Sequence, residues 1–158
     1  MDIRTYEESD REVLREITAV CFAGVSIDQN IEKLFGQIAG KDWTWRKKRQ
    51  IDDDVSAHPE GIFVAEVDSS VVGYICSRLD YATKIGSITN IAVLPAYQKR
   101  GIGKKLVDTA IAHMKRERMQ YVRIEALEQN GVGRHFYPKL GFKEVARKIH
   151  YIMPIDST

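Results

Sequence analysis

Two cysteines and four prolines are all that the 158 residues contain of either type, and no apolar run approaches the ~20 residues needed to cross a bilayer. Cys21 and Cys76 lie in apolar sequence without metal-ligand spacing, which excludes a disulfide framework and a zinc knuckle and reads as two buried, reduced thiols. His58, His113, His135 and His150 are scattered too widely to form a ligand set, so no metal is expected. Charge of one sign is scarce as well. With 24 basic and 22 acidic residues the formal net charge is +2, which gives no bulk electrostatic case for a nucleic-acid partner. Met1 leads directly into a strand-like segment without the basic and apolar regions of a secretion signal. The expectation is a cytoplasmic protein with neither membrane nor nucleic acid as partner.

Repeats, low-complexity tracts and linkers are missing too, and the length suits one domain spanning residues 1–158. Apolar residues at 44% and charged residues at 29% fit a globular chain. Ile3 to Tyr6 alternates as a short strand. Ser9 is placed to cap a helix carrying Val13, Leu14, Ile17, Val20 and Cys21 at helical spacing and ending at Gly24. Ser26 caps a second helix that Gly40 closes, and residues 42–57 form a third. On that third helix Arg46-Lys47-Lys48-Arg49 precedes Asp52-Asp53-Asp54, a spacing that predicts a self-neutralising surface; Trp43 and Trp45 read as packing residues. After the breaker His58-Pro59-Glu60-Gly61, strands are expected over 62–67 and 71–76, joined by Asp68-Ser69-Ser70, and over 84–93. A helix from Gly103 turns Leu106, Val107, Ala110, Ile111 and Met114 inward. A strand over 121–127, a short helix over 134–140 and a closing hairpin over 142–155 complete an α/β pattern with a mixed sheet.

The most informative stretch is Ile91-Ala-Val-Leu-Pro-Ala-Tyr-Gln-Lys-Arg-Gly-Ile-Gly-Lys-Lys105. A strand enters a basic, glycine-containing loop from which a helix starts, and such a start offers unpaired N–H groups and the positive end of the helix dipole to phosphate oxygens. Gly101 and Gly103 allow close backbone approach, while Lys99, Arg100, Lys104 and Lys105 add positive charge. A magnesium-binding P-loop needs a hydroxyl after Gly103-Lys104, where Lys105 stands. A dinucleotide fingerprint needs a small residue where Leu106 stands.

The remaining match, Gln98-x-x-Gly101-x-Gly103 after a strand and Leu94-Pro95, resembles the acetyl-CoA signature of the GNAT superfamily of N-acetyltransferases. A second segment, Asn130-Gly-Val-Gly-Arg-His-Phe-Tyr-Pro-Lys-Leu-Gly-Phe142, resembles the family's later motif and follows in the right order. The likeness extends more loosely over residues 60–154. It implies a central mixed sheet whose fourth and fifth strands splay apart to admit acetyl-CoA, flanked by helices. It assigns pantetheine contacts to the backbone of Ile91, Ala92 and Val93, with Gln98, Lys99, Arg100, Gly101, Ile102, Gly103 and Lys104 around the diphosphate. Asn130 would meet pantetheine or acceptor while also capping a helix.

Tyr137 matches the tyrosine that commonly protonates the departing coenzyme A thiolate, and a phenol of ordinary pKa, about 10, stays protonated at neutral pH. Glu125, five residues before Asn130, gives a Glu…Asn…Tyr spacing that resembles bacterial N-terminal alanine acetyltransferases of ribosomal proteins, in which the glutamate is the general base. At a cleft its pKa is expected to be raised. Gly131, Gly133 and Pro138 weaken the helix around Tyr137. The resemblance thus implies acetyl transfer to a primary amine of a peptide N-terminus or a small molecule. The alternative is a non-catalytic acyl-CoA-binding sensor, and a homodimer is compatible with either.

Overall fold

The structure, a computed structural model, describes residues 1–156. Five strands, β1 (Asp2–Thr5), β2 (Phe63–Val67), β3 (Ser70–Asp80), β4 (Ile85–Val93) and β5 (Tyr121–Ile124), form one sheet in the order β1-β2-β3-β4-β5. The first four pair antiparallel. β5 alone lies parallel to its neighbour, as a strand reached through a crossover helix can. Helices α1 (Arg11–Cys21), α2 (Ile27–Phe35) and α3 (Trp43–Ala57) precede β2, α4 (Ile102–Arg116) makes the crossover, and α5 (Gly131–Lys139) follows β5. Among the described residues no helix is long and apolar enough to span a membrane.

Alternation on β2 and β3, broken by one irregularity at Val72 where the register shifts, divides the core between the two faces of the sheet. Phe63, Ala65, Val72 and Ile75 meet Leu106, Val107, Ala110 and Met114 of α4. Val64, Tyr74, Cys76 and Ala92 meet Leu14 and Ile17 of α1 and Ile51 and Val55 of α3. On that second face the Tyr74 hydroxyl, fully buried, shares a 2.6 Å hydrogen bond with Thr18 Oγ1. Gly86 makes room where α4 crosses β4: a Cβ there would lie 2.5 Å from Met114 Sδ and would displace that side chain.

Several expectations change. Ser9 does not cap α1: it lies in a 3-10 turn over Glu8–Asp10 that a reciprocal Glu7–Asp10 box closes, and Asp10, at the N-cap of α1, turns its carboxylate to Arg4 at 2.8 and 2.9 Å instead of to the helix. α2 ends at Gly36 (φ 75°) rather than Gly40. β5 stops at Ile124, so Glu125 stands just past the strand.

The charges of α3 do not neutralise one another. Arg46 pairs with Asp28, Lys48 with Glu16, and Asp52 with Arg11 and Arg15, while Lys47 and Asp54 are buried against the sheet. Packing α3 between α1 and β3 brings these tertiary partners closer than the intrahelical ones. The closing hairpin is absent, and residues 143–156 carry neither helix nor strand. Arg147 and Lys148 are drawn instead to Glu128 and Glu125, and the segment has no two-residue turn sequence to bring its halves together.

Candidate active site

β4 and β5 pair only from Ile85↔Tyr121 to Ile88↔Ile124. β4 continues to Val93 with β3 on one side, so from Thr89 onward its other edge has no strand partner. The strands part at a bulge. Cys76 lies opposite Asn90 and Ser77 opposite Ile88, which leaves Thr89 as the extra, exposed residue. A cleft of about 250 Å³ opens there, lined by Ser87, Ile88, Thr89, Arg123, Ile124 and Glu125. Ile91, Ala92 and Val93 occupy the unpaired length of β4, as the splay requires, while their side chains pack into the two cores.

The loop after β4 turns twice through the left-handed region, at Lys99 (φ 61°) and Gly101 (φ 80°), before α4 begins. Alternation of this kind turns successive N–H groups toward one side and forms a concavity suited to an anion. The first loop-to-helix bond runs from Lys105 N–H to Gly101 carbonyl, so the N–H groups of Ile102, Gly103 and Lys104 precede it and are the unpaired donors of the first turn. Gln98, exposed, donates to the Val93 carbonyl at 2.9 Å and ties the loop to the strand end. Arg100 lies over the Tyr97 ring at 5.2 Å, and Lys104 pairs with Asp108 at 2.6 Å. Lys99 and Lys105, both exposed, have no ion-pair partner among the described residues.

α5 is placed against this loop by Phe136, whose Cζ would stand 3.2 Å from a Cβ on Gly103. Tyr137 packs edge-on between Phe136 and Phe142, with ring centroids 5.4 and 5.9 Å away. Burial pushes its phenol up to about 12. The helix forms despite Gly131, Gly133 and Pro138 because Asn130 Oδ1 accepts the Gly133 N–H at 3.0 Å. A Cβ at Gly133 would meet Asn130 Nδ2 at 2.9 Å and Tyr137 Cε2 at 3.1 Å, so a larger residue would displace the capping side chain.

Glu125 lines the cleft, but its expected raised pKa is overturned. Lys148 at 3.3 Å and Arg123 at 3.0 Å hold its carboxyl below the ordinary 4.5, outweighing partial desolvation. A depressed carboxylate stays ionised at all pH values above its own pKa, and protonates only as pH falls through it. The acidic limb of kcat/KM reports the free enzyme and free substrate, so a limb well above the ordinary carboxylate range does not report Glu125, and the acceptor amine is the group expected to set it. Glu125→Gln is expected to lower the rate while leaving such a limb in place, and the limb should follow the pKa of the acceptor when a series of amines is used. A limb fixed across the series and abolished in Glu125→Gln would return the titration to the carboxylate.

Two features escaped the sequence. Gln129 ties the chain after β5 to the start of α2, donating to the Gly24 carbonyl at 2.6 Å and accepting from Asn30 at 2.8 Å; no local pattern marks a contact between residues so distant. Behind the bulge, buried Asn90 accepts from Lys47 Nζ at 2.9 Å and donates to Asp54 Oδ2 at 2.8 Å, and Asp54 accepts from Arg78 at 3.0 Å. Lys47 also lies 3.9 Å over the Phe22 ring. Burial pushes this lysine down to about 8, against the opposing pull of Asp28 and Asp54.

Comparison with known proteins follows the same lines. A model described as the acetyltransferase (GNAT) family matches residues 26–142. An N-alpha-acetyltransferase from Sulfurisphaera tokodaii is 34% identical over 63% of this chain and 66% of its own length. A ribosomal protein bS18-alanine N-acetyltransferase from Haemophilus influenzae is 39% identical over 55% of this chain and 58% of its own. The chain therefore spans less than two thirds of either relative. The crystal structure of PaiA N-acetyltransferase from Thermoplasma acidophilum in complex with coenzyme A superposes with a TM-score of 0.72 at 25% identity, covering 90% of this chain and 89% of that one.

Proposed function

The chain belongs to the acetyltransferase (GNAT) family, and from that premise we propose that it moves an acetyl group from acetyl-CoA directly to a primary amine, with a protein N-terminus as the first candidate acceptor and a small amine as the second. The observation that carries this reading is the junction of a strand freed from its neighbour beyond Thr89 with an anion-shaped loop at Lys99 and Gly101. The similarity to N-terminal acetyltransferases favours the peptide acceptor.

Acetyl-CoA supplies the activated acetyl thioester and carries its own phosphates. The N–H groups of Ile102, Gly103 and Lys104 would hold the diphosphate, with Lys99 and Arg100 adding charge, and the free backbone edge of Ile91 to Val93 would take the pantetheine arm. Asn130 keeps its amide nitrogen for that arm or for the acceptor. Glu125, ionised, accepts the proton of the attacking amine directly or through water, and Tyr137 provides a proton to the leaving thiolate.

Acetyl-CoA should raise the melting temperature of the native chain, because a ligand that binds only the folded state stabilises it by mass action. Gly101→Val places a β-branched residue at φ 80°, a backbone region it scarcely adopts, and should cut coenzyme A affinity at least tenfold and abolish the shift. An unaltered shift in a folded Gly101→Val protein would remove the loop from the binding site. Release of coenzyme A across a panel of N-terminal peptides and small amines identifies the acceptor. Binding without release to any amine would leave an acyl-CoA sensor.

A further inference from the structure

β4 changes the phase of its side chains partway along its length. Ile88 packs on the face of the sheet covered by α4, and so do Ile91 and Val93. In a regular strand, residues three apart point to opposite faces. Ile88 and Ile91 share a face because Thr89 is inserted between Ile88 and Asn90, which pair with the successive residues Ser77 and Cys76. Asn90, only two residues from Ile88, is thereby turned to the opposite face, where Cys76 and Ala92 meet α1 and α3.

The two faces offer Asn90 very different surroundings. Toward α4 stand Leu106, Val107, Ala110 and Met114, and an amide among them would be stripped of its hydrogen bonds. Toward α3 the amide is gripped at both ends. Its Oδ1 accepts from Lys47 Nζ at 2.9 Å, its Nδ2 donates to Asp54 Oδ2 at 2.8 Å, and the residue is 5% exposed. Lys47 and Asp54 stand seven residues apart, about two turns, and so lie on one stripe of α3. Lys47 is steadied by Gln50 at 2.7 Å, and Asp54 also accepts from Arg78 of β3 at 3.0 Å. Asp54 therefore ties α3 to both strands, with Arg78 on one side of the register shift and Asn90 on the other.

Building on the acetyl-transfer reading, we propose that Asn90 is a positioning residue: gripped by Lys47 and Asp54, it obliges β4 to carry the bulge at Thr89, and through the bulge it parts β4 from β5 and keeps Ile91 to Val93 open to the pantetheine arm. The parallel ladder stops at Ile88↔Ile124, immediately before the insertion. In a β4 without the extra residue, Thr89 and Glu125 would be next in register, and the ladder would run on across the mouth of the cleft. The network acts on the strand edge and takes no part in proton transfer.

Asn90→Val, a residue at home on either face of a strand, releases the phase. Its counterpart is a double exchange, Asn90→Asp with Asp54→Asn, which preserves the bonding pattern: the carboxylate at 90 accepts from Lys47 and from the amide at 54, whose oxygen accepts from Arg78. Hydrogen exchange on the ligand-free proteins reads the splay itself. The amides of Glu125 and Ala126 should exchange roughly tenfold more slowly in Asn90→Val, as β5 zips onto β4, whereas simple destabilisation would speed them. Calorimetric titration with coenzyme A reads the seat, and affinity should fall roughly tenfold in Asn90→Val. Both quantities should return to within about threefold of native in the double exchange. If Asn90→Val does not fold, Lys47→Met, which removes one side of the grip, is held to the same directions of change. Unslowed exchange in the folded variant overturns the proposal, whether or not affinity falls, and so does a double exchange as altered as the single one. Slowed exchange with native coenzyme A affinity overturns it as well, because the parted strands would then not be the pantetheine seat. A native chain that binds no coenzyme A sinks the acetyl-transfer reading, and the exchange rates at Glu125 and Ala126 still decide whether Asn90 parts the strands.

Discussion

Tyr137→Phe should lower kcat by roughly 100-fold or more while leaving acetyl-CoA affinity and stability almost unchanged. The ring keeps its edge contacts with Phe136 and Phe142. The hydroxyl donates to no group among the described residues, so its removal strands no buried partner, and the stability change should stay within about 0.5 kcal/mol. What is lost is the proton. A phenol pushed up to about 12 by burial remains protonated over the working pH range, so the basic limb of the rate profile should not report Tyr137 below that value. Single-turnover rates, measured where chemistry is limiting, isolate the step. A variant with native turnover would make Tyr137 a packing residue, and the thiolate would then leave unaided or with another donor.

Asp54→Ala should cost about 3 kcal/mol of stability, because it removes one member of a buried, charge-bearing network and leaves the others in place. Asp54 is 2% exposed and accepts from both Asn90 and Arg78. Its removal leaves the Asn90 amide without an acceptor in the core and takes a counter-charge away from Lys47. For a domain of this size the change corresponds to a melting temperature lower by roughly 6–12 °C. Asp54→Asn retains an acceptor oxygen and should cost less than half as much. Urea and thermal unfolding of both variants measure the effect. A loss below about 1 kcal/mol for Asp54→Ala would mean that water replaces the carboxylate and that the network is solvated.

The sheet, α4 and the loop between β4 and α4 were legible in the sequence because each is written in local terms. Ile62 to Val67 is a short, mostly apolar run between a breaker and a turn, Leu106 to Met114 recurs at helical spacing, and the glycines stand where a backbone must approach an anion. Tyr137 and Asn130 were legible as a motif. Partners distant in sequence were not. The same heptad of charges that reads as a self-neutralising face sends Lys47 and Asp54 to Asn90 and Arg78 instead, since spacing along a helix says nothing of what packs against it. Glu125 could be placed at the cleft, but its depressed pKa comes from Lys148, which lies beyond a helix and a turn. The stretch after Phe142 has the composition of a strand, and composition specifies no neighbour, so a hairpin was expected where none forms. His58 and His113, which looked unrelated, share a contact at 2.9 Å between ring nitrogens through the meeting of α4 with the turn before β2.

The position of β1 sets an order on folding. β2, β3 and β4 follow one another closely in the chain, and the β2–β3 turn spans only Asp68 and Ser69. β1 instead joins β2 through Thr5↔Phe63, across about sixty residues that include three helices. At ~0.6 kcal/mol for each doubling of loop length, closing that span costs roughly 3 kcal/mol more entropy than closing the hairpin. The three-strand meander with α4 on its face is therefore the cheaper nucleus, and the pairing of β1 with β2 carries the larger closure cost. The Arg4 pairs fasten both ends of that long closure at one side chain, tying β1 to the helix entry through Asp10 and to β2 through Glu66.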